Sequence, residues 1–166
     1  MKIGVLADTH NNRENTLAAL DIFRAEGVGY VLHCGDLTSG AIVRLFEGWR
    51  AVFVLGNIDA NPQELADAAR EVGLPPPQPT FTLTLDGSPI AVTHGHQDEA
   101  LQNLIEGQAY RYVFHGHTHR RRDEQIGKTR VINPGALGGV KVQPRSVAVV
   151  DLAADEVRFI ELPEAR

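Results

Sequence analysis

The chain has 166 residues, 43% of them hydrophobic and 22% charged, with a formal net charge of −5. These values suit one soluble globular unit with a sizeable core and argue against a nucleic-acid surface, which is usually basic. Cys34 is the only cysteine, so no intramolecular disulfide can form, and its place in an apolar run makes it a buried, inert thiol. Only five apolar residues separate Lys2 from Asp8, too few for a signal-peptide core. A cytoplasmic protein without a membrane-spanning segment is expected.

Met1 to Ala7 reads as a buried strand that ends abruptly at Asp8-Thr9-His10. Asn11 and Asn12 can cap a helix over 13–26 that places Leu17, Leu20 and Phe23 along one face and stops at Gly27. Tyr30 to Cys34 is a second buried strand followed by Gly35-Asp36. A short helix is expected over 41–48, then a strand over 51–55 ending at Gly56-Asn57-Ile58-Asp59. Pro62 suits the first position of a helix running to Val72, closed by Gly73. Residues 73–79 hold four prolines and read as an extended connector.

The second half changes character. Strands over 81–85 and 90–93 flank the turn Asp86-Gly87-Ser88-Pro89 and lead into His94-Gly95-His96. A helix over 98–106 and a strand over 110–114 precede His115-Gly116-His117-Thr118-His119. Short strands are expected over 129–132, 146–152 and 157–162. Strand–helix alternation followed by mostly antiparallel strands points to a mixed α/β sandwich of two sheets with outer helices.

Five strand ends thus deliver Asp, Asn and His, and ligands bind beyond the carboxyl ends of strands in open α/β sheets. Asp8, His10, Asp36, Asn57, His94, His117 and His119 provide about the number of donors that two ions sharing a carboxylate need. Mixed imidazole and oxygen donors suit Mn²⁺, Zn²⁺, Fe, Co²⁺ or Ni²⁺, with Mn²⁺ expected first. Paired ions of this kind serve in-line phosphoryl displacement. A single His or Asp at a strand end is more often a turn former, so the weight rests on all seven together. No Walker-type loop, dinucleotide Gly-x-Gly-x-x-Gly or Gly-x-Ser-x-Gly elbow occurs.

In this order Asp8-x-His10, Gly35-Asp36, Gly56-Asn57, His94-Gly95-His96 and Gly116-His117-Thr118-His119 resemble the five motifs of calcineurin-like metallophosphoesterases. The likeness extends to Asn133-Pro134-Gly135, and its details are closest to the compact bacterial and archaeal phosphodiesterases. The resemblance implies a single domain over 1–166, built as a four-layer αββα sandwich of two mixed sheets flanked by helices. It also implies two divalent ions, with Asp36 bridging them. Asp8, His10 and His119 would complete one ion, and Asn57, His94 and His117 the other. The expected reaction is attack on a small phosphate ester by a hydroxide between the ions.

Many members carry a histidine after Gly-Asn where this chain has Ile58. Isoleucine donates no proton, which favours phosphodiesters over phosphomonoesters. His96 is the expected replacement, as general acid or hydrogen-bonding partner, and with Asp36 and Asn57 makes the catalytic set. Asn11, Asn57, Asp59 and His96 are the expected substrate contacts, although helix capping competes for Asn11. Arg120, Arg121 and Arg122 could hold an acidic substrate, though a charge run is usually a solvated face. His33 and His115 read as hydrogen-bonding residues rather than ligands. Two alternatives stand beside the diesterase. One is a protein-interaction scaffold of the same fold, which the complete ligand set disfavours; the other is a phosphomonoesterase. An exposed sheet edge could support a homodimer.

Overall fold

The computed structural model describes residues 1–164. Ten strands form two five-stranded sheets, and four helices cover them. The first sheet has the order β10-β9-β1-β2-β3, from β1 (Lys2–Leu6), β2 (Tyr30–His33), β3 (Ala51–Phe53), β9 (Ser146–Asp151) and β10 (Glu156–Glu161). The second has the order β4-β5-β6-β8-β7, from β4 (Thr80–Leu85), β5 (Ser88–Thr93), β6 (Tyr112–Phe114), β7 (Arg122–Ile126) and β8 (Thr129–Asn133). β1–β2 and β2–β3 pair in parallel, and β9 and β10 complete that sheet antiparallel. In the second sheet β5–β6 and β6–β8 are parallel, while β4 and β7 add antiparallel edges.

The period-two pattern of β1 explains the layering. Ile3, Val5 and Ala7 point into the space between the sheets, where they meet Ile90, Val92, Phe114 and Ile132. Leu6 points the other way, to a cluster with Ala19, Leu20 and Phe23 of α1 (Arg13–Glu26), Ile42 and Val43 of α2 (Gly40–Arg44), and Leu65 and Ala68 of α3 (Pro62–Glu71). On the far side Leu101 and Ile105 of α4 (Asp98–Glu106) pack on Ala91, Val113 and Val131. The result is the αββα order of layers. Among the described residues no helix is long and apolar enough to cross a membrane.

The helix ends follow the local chemistry. Asn12 caps α1 by accepting from the Asn15 N–H at 2.9 Å, and Gly27 closes it at φ +74°. Asn61 caps α3, whose first residue is Pro62. α2 is shorter than the expected 41–48: past Arg44 the chain tightens into i→i+3 bonds such as Phe46 N–H to Val43 C=O. The 73–79 connector runs beside β3, with the Leu55 N–H donating to Gln78 C=O at 2.9 Å. The β4–β5 turn needs only Asp86 and Gly87, both with positive φ, as tight hairpin turns require.

One strand was not expected. β7 reads Arg-Asp-Glu-Gln-Ile, with no apolar alternation, because it is an edge strand whose charged side chains face solvent.

Gly4 is where α1 approaches closest to β1: a Cβ there would stand 2.8 Å from the buried Phe23 ring. Gly4→Ala should therefore cost about 1–3 kcal/mol by overpacking, seen as a lower urea midpoint with unchanged slope. An unchanged midpoint would mean that Phe23 can turn aside freely.

Candidate metal centre

The predicted site residues all lie in loops at the carboxyl ends of strands. Asp8 and His10 follow β1, Asp36 follows β2, Asn57 follows β3, His94 follows β5, and His117 and His119 follow β6. Backbone bonds stitch these loops together. The Asp8 N–H donates to Gly35 C=O at 2.9 Å and the His10 N–H to Asp36 C=O at 3.0 Å. The Gly116 N–H donates to His94 C=O at 3.0 Å, and the Gly138 N–H to Asp8 C=O at 2.8 Å. Close approach here requires glycine: a Cβ on Gly116 would stand 2.8 Å from Asp8 Oδ2, and one on Gly56 would run into the Asp36 carboxylate.

Seven non-glycine residues in these loops occupy the left-handed region: Asp8, His10, Asn11, Asp36, Thr38, His117 and His119, with φ from +47° to +75°. Such a concentration of strained backbone marks a place where side-chain direction outweighs local comfort.

Two groups of donor atoms result, Asp8–His10–His119 and Asp8–Asp36–His94, each with its atoms within 4.8 Å of one another. Asp8 is common to both. Asp36 Oδ2 nevertheless lies between the groups, 3.5 Å from His10 Nε2 and 3.2 Å from His94 Nε2. His119 Nε2 is 3.5 Å from Asp8 Oδ1. Asn57 Oδ1 stands 3.0 Å from His94 Nε2. The His117 ring lies 5.2 Å from that of His94, and the His117 backbone N–H donates to Asp8 Oδ2 at 3.0 Å. The structure thus brings all seven expected ligands to one locality, with Asn57 and His117 on its exposed side.

The tautomers can be read from the outer partners. His94 Nδ1 lies 2.7 Å from Cys34 C=O, and His119 Nδ1 lies 2.7 Å from Val140 C=O. A carbonyl only accepts, so both Nδ1 atoms carry hydrogen and both Nε2 lone pairs face inward. His94 Nε2 therefore meets Asp36 Oδ2, Asn57 Oδ1 and, at 3.7 Å, Asp8 Oδ1 with lone pairs on every side. Only a cation reconciles them, whether a proton on Nε2 or a metal ion. Asp8 Oδ1 and His10 Nε2 are moreover buried without a hydrogen-bond partner among the described residues. Such orphans are costly unless an ion completes them. The donor set fits divalent metal.

The charges respond accordingly. Burial would raise the Asp8 carboxyl, yet the imidazoles of His10, His119 and His94 hold it well below the usual carboxylate range. Asp36 is also lowered: burial is outweighed by His94 and by the Ile58 N–H, which donates to Oδ1 at 3.1 Å. Against the pull of burial, Asp36 and Asp8 raise His94, while Asp8 raises His119.

Other expected roles change. Asp59 was a substrate candidate, but its carboxylate is buried and accepts from the N–H groups of Gly56 (2.8 Å), Asp36 (3.0 Å) and Thr38 (2.8 Å). It braces the Asp36 loop. Asn12, not Asn11, is the helix cap; the Asn11 Oδ1 accepts from Ser39 Oγ at 2.6 Å. His96 is exposed, its ring 5.4 Å from that of His94, and burial together with His94 and His117 lowers its pKa. The arginine run does not act as a unit. Arg121 is tied to Ser146, Pro144 and Glu161, and Arg122 to Glu124 and His115.

His33 keeps the hydrogen-bonding place expected of it, whereas the supporting roles of Asn133 and Gly139 had little signal in the sequence. His33, fully buried, accepts from the Gly35 N–H at Nδ1 (3.1 Å), so its Nε2–H donates to Thr9 Oγ1 at 2.7 Å. One neutral ring thereby ties the Asp8 loop to the Asp36 loop. Asn133 donates to Gly116 C=O (3.0 Å) and Thr118 Oγ1 (3.1 Å), fixing the turn between His117 and His119. Gly139 lies flat against His10 and His119, where a Cβ would come within 3.0 Å of both rings. The Gly138-Gly139 pair was the one readable sign of that approach.

The model of the calcineurin-like phosphoesterase superfamily domain matches residues 1–155. A phosphodiesterase of Methanocaldococcus jannaschii is 32% identical over 165 residues, covering 98% of this chain and 99% of that protein. The solved structure of an archaeal phosphodiesterase superimposes with a TM-score of 0.91 at 31% identity, over 98% of this chain and 100% of that one. A phosphoesterase from E. coli shares the fold at TM-score 0.72 and 20% identity, over 98% and 100% of the two chains.

If the Thr9–His33 bond positions the first ligand loop, His33→Ala should weaken Mn²⁺ binding to chelator-stripped protein about 10- to 100-fold, and His33→Gln, which keeps a donor, should weaken it less. Calorimetric titration of folded variants decides, and equal affinities would remove His33 from that role. The buried rings also set a pH dependence. Burial pushes His33 down to about 3 and His115 down to about 4. The unfolded chain takes up protons at these rings near pH 6.5 that the folded chain refuses, so stability should fall as pH drops from about 6.5 toward 4. His115→Gln should flatten part of that slope in urea unfolding of the stripped protein; an unaltered slope would contradict the shift.

Proposed function

Because the chain belongs to the calcineurin-like phosphoesterase superfamily, we propose that this phosphoric ester hydrolase is a phosphodiesterase working with two divalent ions, Mn²⁺ by preference. Asp8, His10 and His119 would hold one ion, Asn57, His94 and His117 the other, and Asp36 would reach both. The observation that carries this reading is the ring of inward lone pairs around His94 Nε2, together with the orphaned Asp8 Oδ1 and His10 Nε2. Bound there, the ions would draw charge from the phosphoryl oxygens and acidify water at the centre.

The protein's own groups supply the rest. Cys34 C=O and Val140 C=O hold the Nδ1 hydrogens of His94 and His119 outward, so Nε2 is the atom that faces a cation, which would displace any proton carried there. Asp59, through three N–H groups, fixes the loop that presents Asp36. Asn57 and His96 stand on the open side, where an incoming phosphate would meet an amide and an imidazole; Asn11 lies on the neighbouring loop. Proton delivery to the departing oxygen falls to His96, since Ile58 has none to give.

The choice of diester rests on charge. A monoester dianion places more negative charge at phosphorus and asks for more donors around it, whereas a diester carries one charge. Ile58 occupies an exposed place next to Asn57 with an alkyl group. The relative from Methanocaldococcus jannaschii, named a phosphodiesterase, supports the same choice.

Chelator-stripped protein titrated with Mn²⁺ should turn over bis(p-nitrophenyl) phosphate, and faster than p-nitrophenyl phosphate. Asp36→Asn should reduce that rate to background while the circular dichroism spectrum stays native. A faster monoester reaction would overturn the diester assignment, and a fully active Asp36→Asn enzyme would overturn the place given to Asp36.

A further inference from the structure

Beside the centre, on the His94 side, lies a cavity of about 250 Å³ between the β3 loop, the start of β4 and the first turn of α4. Its walls include Gly56, Thr80, Thr93, His96, Gln97 and Ala100. Two of these connect it directly to the reacting groups. Gly56 is packed against the Asp36 carboxylate, and the His96 ring stands 5.4 Å from that of His94 and 6.3 Å from that of His117. An ester arm that leaves a phosphorus at the centre past His96 and over Gly56 enters this cavity.

Resting on the diester reading, we propose that this cavity is the subsite for one ester substituent, and that it selects an uncharged, ring-sized group able to form hydrogen bonds.

The lining supports each part of that description. The charged wall residue, Asp59, already commits both carboxylate oxygens to three backbone N–H groups. A charged arm would therefore lose its water for no partner. Thr80 Oγ1 donates to Thr93 Oγ1 at 3.3 Å, and Thr93 Oγ1 is 3.5 Å from Pro79 C=O, which leaves the Thr80 oxygen able to accept. His96 and the Gln97 amide add hydrogen-bonding groups, and Leu55, Pro79 and Ala100 the apolar surface. At about 250 Å³ the space is below the roughly 300–1,000 Å³ of sites for drug-sized ligands. It suits a ring and excludes a long acyl chain.

Ala100 is the position to test, because it sits in the first turn of α4 and a larger helix-forming side chain there fills the cavity without touching a proposed ligand. Calorimetry on the Mn²⁺-loaded full chain compares phenyl phosphate, hexyl phosphate and inorganic phosphate. The native protein should prefer phenyl phosphate to both others, and Ala100→Leu should weaken phenyl phosphate about tenfold with inorganic phosphate unchanged. Ala100→Ser, which leaves the space open, should behave as the native chain. Equal weakening of phenyl and inorganic phosphate, or no preference for phenyl in the native protein, would overturn the subsite. A preference for hexyl phosphate would overturn the ring assignment. These affinities are read without turnover, so a protein that hydrolyses no diester yet shows the phenyl preference would fail the functional proposal alone.

Discussion

The constraint on which this structure depends is backbone held in the left-handed region at the residues that must aim side chains inward. Asp8, His10, Asp36, His117 and His119 all adopt it, and none is a glycine. Each such residue costs of order 1 kcal/mol or more. Aspartate and histidine tolerate this region better than most non-glycine residues, which lessens the cost without removing it. The compensation is collective: the bonds from Asp8 to Gly35, from His10 to Asp36 and from Gly116 to His94 lock the loops to one another. Those loops are in turn anchored on strands whose side chains are almost wholly buried on both faces. The two sheets thus serve as a rigid frame for five unfavourable residues in three loops.

Electrostatics adds a second cost. Carboxylate oxygens and imidazole lone pairs converge where little water reaches, an arrangement that lowers stability unless a cation is present. The surrounding groups do not relieve it; they preserve it. Main-chain carbonyls hold the His94 and His119 protons outward, and backbone amides engage Asp36 and Asp59. Stability has been given up locally for readiness to bind positive charge.

How much of this could be read from the chain alone differs by residue. The convergence of Asp, Asn and His was legible because each follows a short apolar run, and a polar cluster at a buried strand's end has few other uses. The two-sheet sandwich with outer helices was legible from strand–helix alternation giving way to antiparallel strands, and its four layers only through the family resemblance. β7 was not, since an edge strand needs no apolar face and Arg122–Ile126 carries almost none. The bracing role of Asp59 was not legible because an aspartate beside such a loop looks the same in sequence whether it faces substrate or three amides. His33 and Asn133 act through partners 24 and 17 residues away, and such distant pairings leave no periodic trace.

The same distances bear on how the protein comes to be folded. The bond from His117 to Asp8 spans 109 residues, that from Asn15 to Leu137 spans 122, and His94 reaches Cys34 across 60. The centre is a high-contact-order object: no contiguous fragment contains it, and loop closure must be completed before any of its contacts are rewarded. The nascent chain exposes Asp8 and His10 long before His117 and His119 exist to join them. The full donor set therefore exists only once the two sheets have docked, so a captured ion would act as a seal on the finished fold rather than as its nucleus.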